Sequence, residues 1–192
     1  MADSDNMRIP GELAQQFRDP KWGASQLSGI SILKGFTVEE LETLYGIGEV
    51  ISLKPNSYAV IEGEPTRGLY VILYGTVSVY KNEPISGAMH RIAYLDQGAN
   101  FGELSLFDQA PRSASVAAEA VCHLFHLDAD VFATYLTKAG EGPTSRFYKA
   151  CAEELVSRFR KLNTDYITSQ QQLWKYAFTK DKQADESAAE AS

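Results

Sequence analysis

Cysteine is scarce: the 192 residues hold two, Cys122 in an alternating apolar run and Cys151 in a helical pattern. Neither has a CxxC partner or a histidine at ligand spacing, which argues against a disulfide scaffold or a zinc site and for two free thiols in a reducing compartment. No apolar run approaches the roughly 20 residues of a membrane span, and the opening MADSDNMRIPGELAQQF lacks an apolar core of signal-peptide length. Positive charge is also in deficit. With 18 Lys and Arg against 25 Asp and Glu, the formal net charge is -7 and the pI about 5.0. That excludes a broad face for nucleic acid or anionic membrane, so any bound anion must be met locally. The three histidines, His90, His123 and His126, have no metal-ligand spacing, and the last two would point to opposite faces of a strand. No Ser, Cys and His nucleophile motif assembles. The expectation is a cytoplasmic protein that is not an enzyme, with no catalytic residue, no metal, no DNA partner and no membrane.

The chain is long enough for one well-packed domain with extensions. Residues 1–28, punctuated by Pro10, Pro20 and Gly23, read as an N-terminal extension that lies on the domain or is loose in solution. TVEELETLYGIG then predicts a short amphipathic helix, with Thr37 as N-cap and Glu39 and Glu40 in the first turn. From Glu49 to about Leu127 the period changes to two, and Gly, Pro and Asn interrupt at short intervals. Many short strands with frequent turns predict a compact antiparallel barrel or sandwich. The domain is placed at 29–142.

A long C-terminal helix is expected over 143–178. Phe147 to Phe178 contains no Pro or Gly, and Tyr148, Ala152, Leu155, Phe159, Leu162, Tyr166, Ser169, Leu173 and Tyr176 recur at alternating spacings of four and three. Such a seam suits a parallel homodimer through residues 147–178; the alternative is one helix packed on its own barrel through its first half. The small, charged tail over 179–192 is expected to be disordered.

One stretch breaks the strand rhythm. FGELSLFDQAPRSASV joins Gly102 and Glu103 to Arg112 through small and apolar residues. Gly102 permits a backbone conformation closed to other residues, and ELSLF can start a helical turn whose first N–H groups face outward, a natural seat for phosphate. Arg112 can fold back to neutralise that phosphate with paired hydrogen bonds. Glu103, repelled by phosphate, suits a sugar hydroxyl instead. Phosphate and ribose together suggest a small nucleotide.

This stretch resembles the phosphate-binding cassette of the cyclic nucleotide-binding domain family, which includes the catabolite activator protein and the protein kinase regulatory subunits. LKGFTVEELETL resembles the family's leading helix, KPNSYAVIEGEPTRGLYVILYGTVSVYK its first strands, and YLDQGANFGE the approach to the cassette, over about Ile30 to Leu162. The resemblance implies a mainly β fold: an antiparallel β-roll (a double-stranded β-helix or jelly-roll barrel) with flanking N-terminal helices and a long C-terminal helix. It implies that Gly102, Leu104 and Ser105 offer donors to the cyclic phosphate, Glu103 takes the ribose 2'-hydroxyl, and Arg112 pairs with an exocyclic oxygen. Ser113 matches a position where a hydroxyl reaches phosphate or a guanine amine. Position 105 is often Ala or Gly in the family. If the long helix closes as a lid, Asn163, with Arg160 or Thr164, lies where base contacts are expected; a solvated Asn163 is the alternative.

The implied ligand is cAMP, or less readily cGMP, with no prosthetic group. No helix-turn-helix has room after Tyr166, so the expected output is rearrangement of the helix toward an unidentified effector protein. The alternative is an interaction scaffold of the same fold, its pocket empty or adapted to cyclic di-GMP through Arg158 and Arg160. A ligand-independent DNA-associated regulator is disfavoured by the charge.

Overall fold

Eight strands fold as two antiparallel four-stranded sheets in a computed structural model that describes residues 11–65, 68–106 and 110–190, with side chains described as far as 176. The strands are β1 (Glu49–Leu53), β2 (Tyr58–Val60), β3 (Gly68–Tyr74), β4 (Val77–Asn82), β5 (Met89–Leu95), β6 (Asn100–Phe101), β7 (Ser115–Ala118) and β8 (Cys122–Asp128). One sheet runs β1-β8-β3-β6 and the other β2-β7-β4-β5, with every pair antiparallel. This is the expected β-roll. Its interior is filled by Val60, Ile72, Val77, Phe101, Val116 and Leu124, with Tyr70 and Cys122 among them.

The first sheet is covered on both faces, so β3 and β8 lose the simple apolar and polar alternation. In β3 every residue but Tyr74 is buried. Cys122 and Leu124 of β8 point into the roll, whereas Phe125 stacks on Tyr45 outside it at 4.8 Å. Tyr45 belongs to α3 (Val38–Ile47), which starts at Thr37 with a reciprocal capping box: Thr37 Oγ1 accepts from Glu40 N at 3.3 Å and Thr37 N donates to Glu40 Oε2 at 2.7 Å.

Residues 11–27 form α1 (Gly11–Phe17) and α2 (Pro20–Leu27), and both pack on the domain. Phe17 is buried against Trp22 and His123, and the Tyr45 hydroxyl donates to Phe17 O at 2.8 Å. Gly23 lies so close to the Tyr45 ring that a Cβ there would meet it at 2.2 Å. Of the two expectations for the N-terminal extension, these residues follow the packed one; residues 1–10 lie outside the described residues.

A helix not expected from the sequence pattern, α4 (Ala129–Ala139), follows β8. Its signal was Asp128, whose carboxylate accepts from Asp130 N at 2.8 Å and Val131 N at 3.1 Å as an N-cap. The last helix, α5, runs Glu141–Glu190, starting before residue 143 and continuing through most of the tail expected to be disordered. That tail, TKDKQADESAAEAS, carries Ala, Glu and Lys, good helix formers.

The chain divides into two compact units, residues 1–150 and 151–192. Within the first, the start of α5 is fixed by Phe147, 1% exposed in a cluster with Phe36 and Phe132, and by an Arg146–Glu40 ion pair of 2.5 Å. The second unit is the rest of α5, whose described apolar side chains from Leu155 to Tyr176 are exposed. Both cysteines are free. Among the described residues no helix is long and apolar enough to cross a membrane.

Candidate functional site

After β6 the chain turns at Gly102, whose φ of +80° an L side chain rarely adopts, into a 3-10 turn over Glu103–Leu106. A Cβ on Gly102 would lie 2.6 Å from both Arg112 Nη1 and Gly68 O, so glycine is needed here for space as well as conformation. Six residues singled out in the sequence, Gly102, Glu103, Leu104, Ser105, Arg112 and Ser113, line one cavity of about 200 Å3 together with Ala110 and Pro111. Residues 107–109, within the cassette, and 66–67, just before β3, lie outside the described residues.

Arg112 is held at both its backbone and its side chain. Gly63 N donates to Arg112 O and Arg112 N donates to Glu64 O, each at 2.9 Å, which pins the residue to the turn after β2. That turn is tied in by Lys81, whose Nζ donates to Glu62 Oε1 at 2.6 Å and to Ser113 O. Ser115 Oγ accepts from Glu62 N at 2.9 Å. The ammonium of Lys81 and the Asn82 N–H hold the Glu62 carboxyl below the ordinary carboxylate range.

The Arg112 guanidinium points into the fold, and the residue is 7% exposed. Nη1 donates to Ser105 Oγ at 3.1 Å, Gly68 O at 3.2 Å and Gly102 O at 3.5 Å. Cζ stands 5.5 Å from the Tyr70 ring centroid, and Tyr70 is itself stacked on Phe101 at 4.9 Å and on His126 at 4.4 Å. Burial lowers the Arg112 pKa, opposed by Tyr70 and Glu103. The Tyr70 hydroxyl is pushed up by burial, with Arg112 acting against the rise. A buried guanidinium beside backbone oxygens, a hydroxyl and a ring can donate charge-assisted hydrogen bonds to an anion that enters the cavity.

Ser105, 6% exposed, is turned inward. Its Oγ accepts from Gly68 N at 2.9 Å and donates to Gly102 O at 2.7 Å, and its N–H donates to Gly102 O at 3.2 Å. A direct Ser105–phosphate contact therefore requires exchange of these bonds. Leu104 is 47% exposed and Ser113 is exposed. Asn163, Arg158, Arg160 and Thr164 lie on the helix of the second unit. Gly68, Tyr70 and Lys81 were missed from sequence. Gly68 opens an apolar strand, and its φ of +144° is the backbone reason that a glycine stands there.

A family model described as Cyclic nucleotide-binding domain matches residues 50–139, a narrower span than the sequence resemblance. The chain is 32% identical over 104 residues to the cAMP-dependent protein kinase regulatory subunit of Blumeria graminis, covering 50% of this chain and 26% of that protein. Among the curated relatives first matched, the alignment spans between 12% and 39% of their lengths. The N-terminal domain of a transcriptional regulator from Streptomyces coelicolor A3(2) superposes with a TM-score of 0.65 at 24% identity, covering 71% of this chain and 93% of that one. A cyclic nucleotide-binding domain from Methylobacillus flagellatus KT superposes at 0.58 with 27% identity, covering 72% and 82%. Residues 50–139, which contain the whole cassette, thus belong to the cyclic nucleotide-binding domain family.

Proposed function

We propose that the protein is a cyclic nucleotide receptor that takes cAMP in preference to cGMP and is not an enzyme. The observation that carries this reading is Arg112, a buried guanidinium fixed at the wall of a small cavity beside Gly102 and Glu103. In this reading Arg112 pairs with the exocyclic phosphate oxygen, the cassette turn supplies backbone donors, and Glu103 accepts from the ribose 2'-hydroxyl. The similarity to a subunit named as cAMP-dependent supports cAMP as the ligand.

Output passes through α5 to a second copy and an effector protein. Leu155, Phe159, Leu162, Tyr166, Leu173 and Tyr176 are between 59% and 71% exposed along one helical seam, which supports a parallel homodimer through residues 147–178. A ligand that binds one arrangement of this helix better than another shifts the equilibrium between them.

Calorimetric titration with cAMP, cGMP and cyclic di-GMP tests the receptor reading. Micromolar or tighter binding of cAMP supports it. No heat from any of the three, from protein that retains no nucleotide after purification, leaves a scaffold with an empty pocket. Heat from cyclic di-GMP alone reassigns the ligand.

A further inference from the structure

We infer that the Ser105 hydroxyl is a positioning group for Arg112 and sets nucleotide affinity through it without needing to touch the ligand. The inference rests on the receptor reading above. A serine hydroxyl has one proton and two lone pairs, and here all three are used: Gly68 N donates to it at 2.9 Å, Arg112 Nη1 donates to it at 3.1 Å, and it donates to Gly102 O at 2.7 Å. These partners come from the start of β3, the glycine at the cassette turn and the far end of the cassette, so one buried atom joins three separate parts of the site.

Among the oxygens that Nη1 meets are two backbone carbonyls and the side-chain atom Ser105 Oγ. Position 105 therefore contributes to the orientation of the guanidinium. Paired recognition of a phosphate requires two guanidinium nitrogens to present themselves in one plane. Holding Nη1 against the floor fixes that plane before the ligand arrives and lowers the ordering cost of binding. A lysine at 112 has a single ammonium and gains nothing from this device, which separates positioning from mere support of the fold.

The test is cAMP affinity for Ser105→Ala in the full chain and in an Arg112→Lys background. Hydrogen bonds to charged groups are worth enough that Ser105→Ala should weaken binding about tenfold beside Arg112. In the Arg112→Lys background the same change should alter affinity by less than about twofold, the level of independent sites. If Ser105→Ala does not fold, Ser105→Cys, close in size but a poor hydrogen-bonding group, takes its place in both backgrounds. Equal losses in the two backgrounds, or no loss beside Arg112, overturn the inference while leaving the receptor reading intact. Absence of cAMP binding by the unaltered protein overturns both.

Discussion

Along β8, Cys122, Leu124, Phe125 and Leu127 are all 0% exposed, and their removal from water is favourable in itself. In the cassette, Arg112 at 7% and Ser105 at 6% are buried almost as deeply, but their burial costs free energy until each polar atom finds a partner. Burial is thus favourable in one region and costly in the other. The floor made by β3 and β8 holds the fold through apolar contact, whereas the cassette buries a cation among polar partners. Substitutions should therefore separate stability from ligand affinity according to the region they touch.

The largest expected loss of stability is in the floor. Phe125→Ala removes a ring stacked on Tyr45 and should cost about 3–5 kcal/mol in chemical denaturation, with cAMP affinity per folded molecule unchanged. An equal loss of affinity would show that the two regions are not separable. Gly102→Ala should cost less, about 1–3 kcal/mol, because it forces a side chain onto a φ of +80° and against Arg112 Nη1, yet it should abolish detectable cAMP binding. Thr37→Ala, which removes the α3 capping box far from the cavity, should cost about 1 kcal/mol and leave binding intact.

The smallest effect is in pH. Burial lowers the His123 pKa below its ordinary 6.5. As pH falls through 6.5 the unfolded chain takes up that proton before the folded one. The stability this site contributes is full above 6.5 and declines below it, until the folded pKa is reached. Melting temperature should fall on acidification across that window, and less so in His123→Gln. An identical pH profile in the variant would remove His123 as the cause.

The comparison also explains what could be read from the sequence. Local signals were legible: Thr37 with Glu40 three residues on, the glycine-marked strand breaks, and Gly102, Glu103 and Arg112 in one short stretch. The inward turn of Ser105 was not, because its hydroxyl is committed to Gly68, 37 residues earlier, and no local pattern reports such a pairing. Tyr70 was hidden in a run of apolar residues, where nothing distinguishes a ring that faces a guanidinium from one that only fills the core. α4 was passed over because its eleven residues follow directly on β8, where the period changes within two residues of Asp128. The helical backbone to Glu190 shows that composition alone, small and charged, does not separate a disordered tail from a helix of good formers.

The most direct test measures cAMP affinity and unfolding free energy together for the unaltered protein and Arg112→Ala. Binding should be lost in the variant while stability changes by no more than about 1–2 kcal/mol, since removing the guanidinium also removes its desolvation cost. Unchanged cAMP affinity, or a loss of affinity matched by collapse of the fold, would contradict the assignment of Arg112 as the anion clamp.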